Sequence, residues 1–406
     1  MKFFCKILFL FILITLIIYP GELFALEGYV ELRALHFPNK ADTSEMRGRI
    51  FLEHKYQIRE NCQFYTSGYF EDLVSNRSLD EYAARIAADD IYLMLYLSNI
   101  DIKMGYSKVT WGKLDEVTIV DIFNPINAGR FFLTFERKQA KLPLPLISTK
   151  SYVGDLSSID FVFVPYFREP VYDTLNEKSS PFNTLNLPLD SRTKTPAQNF
   201  SNAEYGIRFS NTYNELDWSL YYAKFFDDNT AYTLNILPVP NITGKYIQSE
   251  MIGADCETTL GKWGLRAETA FFNNSVFWKK DGVDYAQAEY ISTGIGLDRN
   301  FSDNYINLST LYRKILIDDM LREPKDELSL IGRIQRKFSY DTKKIELSGV
   351  YNLKDESSFA RGMYSVSFFE NFWVDFIVGI FYGKGTGTLS SFKKSDFVSL
   401  NATYNF

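Results

Sequence analysis

The sequence predicts an all-β chain: a transmembrane antiparallel β-barrel of about 18 strands (16 to 20), with short turns at one end and longer loops at the other. Three observations carry this. Alternating apolar and polar residues recur from Gly28 to the carboxy-terminus, the mark of strands with one apolar and one wet face. Connections between these segments alternate short and long. Aromatic residues, 17% of the chain, cluster at segment ends, as two interfacial girdles would require.

The amino-terminus is read separately. Lys2 and Lys6 flank the start of an apolar run, Ile7 to Ile18, followed by Pro20-Gly21 and a small residue at Ala25. This is the layout of a secretory signal peptide, residues 1–25. About a dozen apolar residues falls short of the roughly 20 that a spanning helix needs. Residues 26–406 then form a single barrel domain with an inserted loop at 111–139, since no linker or composition break divides them.

Gly28–Phe37 reads as the first strand, with Val30, Leu32 and Ala34 against Glu31 and Arg33. In Met46–Ile58, Ile50, Leu52, Tyr56 and Ile58 oppose Arg47, Arg49, Glu53, Lys55 and Gln57. Cys62–Asp72, a strand ending near Leu97, and Ile100–Trp111 follow. A strand at Ala140–Lys150 is required to keep the directions alternating, although Pro143 and Pro145 remove ladder donors. Next come Ser157–Phe167, Ala203–Asn211, Leu216–Phe226, Ile247–Thr259, Trp263–Phe272, Tyr285–Asp298 and Asn304–Ile315. Asp326–Phe338, Lys343–Leu353, Ser358–Phe369, Phe372–Tyr382 and Ser395–Phe406 complete the set. Arg168–Asn202 and Asp227–Lys245 read as long free loops. Phe338, Tyr340, Phe369, Phe372, Trp263 and Tyr213 mark the short-turn girdle. Tyr222, Phe271, Tyr312, Tyr351, Phe359 and Tyr382 mark the long-loop girdle.

The last segment places Val398, Leu400, Ala402, Tyr404 and Phe406 on one face and stops on the aromatic. It resembles the closing strand of Gram-negative outer-membrane barrels. That resemblance implies recognition of Tyr404 and Phe406 by the outer-membrane assembly machinery, and a setting in outer-membrane lipid and lipopolysaccharide. It also implies periplasmic short turns, extracellular long loops and an even strand count.

Chemistry is thinly represented. The two histidines, His36 and His54, lack Cys, His or carboxylate partners at ligand spacing, and no G-x-S-x-G elbow occurs. No catalytic, cofactor-binding or metal site is predicted, and the chain does not read as an enzyme. A net charge of −6 argues against a nucleic-acid partner. Cys62 and Cys256 fall on non-neighbouring strands and read as free thiols. Asp227-Asp228 and Asp318-Asp319 read as solvated loop charge. The inward parity carries Arg47, Arg49, Glu53, Lys103, Arg266, Glu268 and Arg333, a mixed lumen rather than a one-signed ring.

Trp111–Gln139 starts as a loop at the long-loop end, yet it carries Val117, Ile119, Val120, Ile122, Phe123, Ile126, Phe131–Leu133 and Phe135. An apolar set of that size normally finds a partner surface. Folding into the lumen would bury it and set Lys113, Asp115, Glu116, Asp121, Asn124 and Arg130 near the pore axis as a constriction. Lying across the rim is the other option. The segment also resembles a family of large, uncharacterised, porin-like outer-membrane barrels, through Trp111-Gly112, Asp115, Asp121, Asn124-Pro125 and the following Leu142-Pro143-Leu144-Pro145. Ser107-Lys108 departs from the Arg/Lys-Gln that this family tends to have before Trp-Gly. The expected function is a channel for an unidentified small-molecule or lipid-like solute. The alternative is a non-transporting surface barrel, whether structural, adhesin or receptor, that binds a partner through its long loops.

Overall fold

Eighteen strands hydrogen-bond into one antiparallel sheet that closes on itself where its first and last strands pair. The computed structural model describes residues 26–40, 43–76, 84–134, 137–184, 191–235, 241–280, 284–317, 321–385 and 387–406. The signal-peptide reading, Phe135 and Asp318-Asp319 lie outside the described residues. In chain order, β1 is Glu27–Phe37, β2 Thr43–Arg59, β3 Cys62–Ser75, β4 Ala84–Tyr96 and β5 Ile100–Ser107. Then come β6 (Leu144–Val153), β7 (Ser157–Val164), the short β8 (Ser191–Lys194), β9 (Glu204–Tyr213) and β10 (Leu216–Phe226). Short β11 (Ala231–Asn235) and β12 (Asn241–Lys245) precede β13 (Gln248–Leu260), β14 (Trp263–Trp278) and β15 (Tyr285–Phe301). The last six are β16 (Asn304–Ile315), β17 (Asp326–Phe338), β18 (Lys343–Asn352), β19 (Ser357–Phe369), β20 (Phe372–Tyr382) and β21 (Phe397–Asn405). The strand predicted at Ala140–Lys150 exists as β6 but starts four residues later: Pro143 precedes it, and Pro145 is its second residue, opposite Tyr106.

Alternation sorts the side chains by face. Leu220, Ile252, Ile295, Leu308, Leu347, Ile380 and Leu400 point outward and are each more than half exposed. An apolar wall on this scale has no place in water and is a lipid-facing surface. The seam is held by reciprocal bonds, Gly28 N to Phe406 O and Phe406 N to Gly28 O, both 3.0 Å. Cys62 and Cys256 are free thiols.

Four expectations are corrected. Phe359 belongs to no outer girdle; it points inward and is buried with Phe132 and Phe381. Arg168–Asn202 is not a free loop throughout, because Asp173, Leu175, Asn176 and Phe182 are buried inside the barrel. Asp227 is not solvated charge: it is buried and accepts the backbone N–H of Asn229 and Val276. Asp227–Lys245 is not an irregular loop either, since β11, β12 and β8 form a small separate sheet at that end.

Candidate functional site: an inward loop, a crossbar and two cavities

The chain between β5 and β6 turns into the lumen. Its tip seats on inward-facing glycines of the wall. A methyl group built on Gly206 would meet Trp111 and Phe123, on Gly253 Val120, and on Gly294 and Gly296 Leu114, all closer than 3.0 Å. Those glycines leave the hollows that Trp111, Leu114, Val120 and Phe123 fill, and these side chains are almost wholly buried. The sequence alternatives, lumen or rim, are therefore resolved toward the lumen by packing.

One carboxylate fixes the tip. Glu268 Oε1 accepts the backbone N–H of Lys113 (2.5 Å) and Leu114 (2.7 Å), and Oε2 accepts those of Ile119 (2.6 Å) and Val120 (3.4 Å). Gly112 makes this approach feasible. Its φ is +88°, and a Cβ there would stand 2.6 Å from Glu268 Oε1. The Trp-Gly pair thus has a physical reason: Trp111 fills the wall, and Gly112 lets the backbone bend over the carboxylate.

The charged residues of the tip pair with the wall. Asp115 Oδ2 accepts from Arg266 Nη1 (2.7 Å), Tyr305 Oη (2.8 Å) and Asn307 Nδ2 (2.9 Å). Glu116 lies 3.2 Å from Arg333, which also reaches Glu346 at 2.7 Å. Lys113 pairs with Glu257 at 3.2 Å. Burial pushes the Glu116 carboxyl above the ordinary glutamate range, against the opposing pull of Arg333. Asp121 and Asn124 are placed differently from expectation. Asp121 is buried against Lys141, while Asn124 accepts from Val109 N (2.7 Å) and donates to Leu142 O (2.8 Å). Both brace the two legs of the loop and do not face an axis. Of the remaining predicted lumen charges, Glu53 accepts from Tyr65, and Lys103 lies over the Tyr92 ring.

Beyond the tip the segment crosses to the opposite wall. Asn127 caps a short helix, α1 (Ala128–Leu133), by accepting the Arg130 N–H. Phe132 lands among Phe182, Phe359, Phe381 and Phe392, with ring centroids 4.8 to 5.6 Å away. Arg361 donates to the carbonyls of Phe132 and Thr134 at the helix end. Arg130 pairs with Glu71 at 3.0 Å. Residues 171–174 run beside 126–129: Ala128 N donates to Val171 O (2.9 Å), Gly129 N to Tyr172 O (2.8 Å) and Val171 N to Ile126 O (3.1 Å). Arg47 and Asp173 tie this second strip to β2, with Arg47 Nη1 3.1 Å from Asp173 Oδ1.

This double strip is a crossbar. Ile126, Ala128, Val171 and Tyr172 line a cavity of about 570 Å³ on the side away from the chain termini. Asn127, Gly129, Asp173 and Thr174 line a much smaller polar hollow of about 30 Å³, together with Arg33, Arg47, Glu71 and Arg130. Leu133, Thr134 and Gln139 face a third cavity of about 460 Å³ toward the termini. Sequence reasoning missed Glu71, Arg33, Asp173 and the wall glycines. Inward parity marks Glu71, Arg33 and the glycines, but nothing marks Asp173.

No family model matches the chain, and no curated protein matches it in sequence. Solved structures do match in shape. Pseudomonas aeruginosa OccK8 (OprE) superposes with a TM-score of 0.57, covering 95% of this chain and 99% of that one, at 11% identity. The fold is that of an outer-membrane porin barrel. P. aeruginosa OpdK, solved with vanillate, gives 0.56 over 95% and 100% at 10% identity, and Acinetobacter baumannii OccAB4 gives 0.53 over 94% and 97% at 11%. At such identities the likeness concerns the barrel and not individual residues.

Proposed function

We propose that this chain is a diffusion channel of the Gram-negative outer membrane for small polar solutes. The inward loop and crossbar are its constriction. The observation that carries this reading is the lumen itself: an apolar-walled, closed barrel whose interior is filled by latched segments, with solute-sized cavities on either side. A purely structural barrel has no need of that arrangement. Cavities of about 300–1,000 Å³ hold small ligands, and vanillate, bound in the OpdK structure, is a solute of this size. Lys113, Asp115, Glu116 and Arg130, with wall residues Arg266, Arg333 and Glu71, set the charge met on passage. Residues 1–25 act as the export signal, and Tyr404 and Phe406 present the assembly signal. The Trp-Gly…Asp…Asn-Pro resemblance to porin-like barrels supports the channel reading. Liposome-swelling assays with solutes of graded size test the reading. Uptake of small solutes with exclusion of larger ones is expected, and impermeable liposomes holding correctly folded protein would contradict it.

A further inference from the structure

We propose that the outer cavity binds small organic cations, an amine carried on an aromatic body; this rests on the channel reading and names its solute class. Four carboxylates, Glu169, Glu177, Asp228 and Glu323, line the cavity against one guanidinium, Arg322. Two of them are committed. Glu177 accepts the N–H groups of Tyr172 and Asp173, both at 3.0 Å, and Glu323 pairs with Arg313 at 2.6 Å. Glu169 and Asp228 have no cation within ion-pair distance among the described residues. Arg322 also lines the cavity, its guanidinium over the Trp278 ring, 5.7 Å from the centroid, and its single charge does not balance Glu169 and Asp228 together.

The walls complete the site. Tyr172, Tyr232, Tyr246 and Trp278 all line the same space. Tyr232 and Trp278 meet edge to face at 5.6 Å, which fixes both rings, and Tyr246 is held by Phe167 at 4.6 Å. Tyrosine faces beside these carboxylates, with Trp278 already carrying Arg322, are the chemistry that holds an ammonium group carried on an apolar body. Side chains such as Thr193 and Thr388 add hydroxyls that can orient a polar substituent. An anionic solute such as vanillate would meet like charge at the same place. Burial holds the Glu169 carboxyl above its ordinary range, and the surrounding protein and then the Asp227 charge do the same for Asp228, although solvent reaches it. A bound cation would offset that cost.

Isothermal titration of the refolded, full-length barrel in detergent tests this with three probes of one size: tyramine, the neutral 4-ethylphenol and the anion vanillate. Tyramine should bind about tenfold or more tightly than either of the others, and Glu169→Gln and Asp228→Asn should each weaken it several-fold. Equal affinity for 4-ethylphenol, tighter binding of vanillate, or no heat with tyramine overturns the site, without recourse to the variants. Potassium chloride conductance of the same preparation separates the two readings. A conducting barrel with no tyramine preference overturns the cation site alone. A barrel that binds tyramine but does not conduct overturns the channel.

Discussion

Glu268 pins the tip of the inserted loop to the barrel wall. It satisfies four backbone N–H groups that would otherwise be buried without partners. A buried donor left unpaired costs about 1–3 kcal/mol, so Glu268→Ala should release the tip while the outer wall survives. Single-channel recording should show larger and noisier currents, with Glu268→Gln intermediate because it keeps one acceptor. Gly253→Leu attacks the same tip from the wall, where Val120 already occupies the space, and should give the same recording. Glu116 supplies a pH test. Its carboxyl is raised by burial, so its contribution to stability is fully present below the ordinary glutamate value and is lost as pH rises through the folded-state value. Glu116→Gln should therefore flatten that part of the stability–pH curve and gain on the wild type as pH rises; a parallel curve contradicts the assignment. Asp121→Arg, by contrast, should damage the loop fold and not ion preference, since Asp121 is locked to Lys141.

At the scale of elements, the closing strand and the inward loop make separate predictions. Phe406 exchanges both backbone bonds with Gly28, so Phe406→Asp should impair barrel assembly, read as loss of heat-modifiable gel mobility. Much of this level was legible beforehand. Period-two alternation located most of the barrel strands because each must divide lipid from lumen, whereas β6, interrupted by proline, was located by the need to alternate strand directions. The apolar load of Trp111–Gln139 exposed the inward loop, since free loops do not carry that many large apolar side chains. The 168–184 strip escaped notice because Leu175 and Phe182 are its only large apolar buried anchors, and polar contacts such as Asp173–Arg47 leave no pattern in sequence. The small sheet of β8, β11 and β12 escaped for a related reason. Its strands are four and five residues long, too short for alternation to show.

The whole molecule is a barrel filled from within by the inward loop and the crossbar. Topology follows first: cysteine labelling of intact cells should miss Ser339–Thr342 and Glu370-Asn371, the short turns on the side of the termini. Of the long segment after β7, labelling should reach the 195–201 stretch, which is largely exposed, and not Leu175 or Phe182. The most direct test is conductance in planar bilayers of the wild type against a protein with Leu114–Phe132 replaced by a short Gly-Ser bridge. The inward loop and crossbar predict small steps for the wild type and steps several-fold larger for the shortened protein, because the pore field and width are set there. Equal conductance from a shortened barrel that assembles normally would contradict the account.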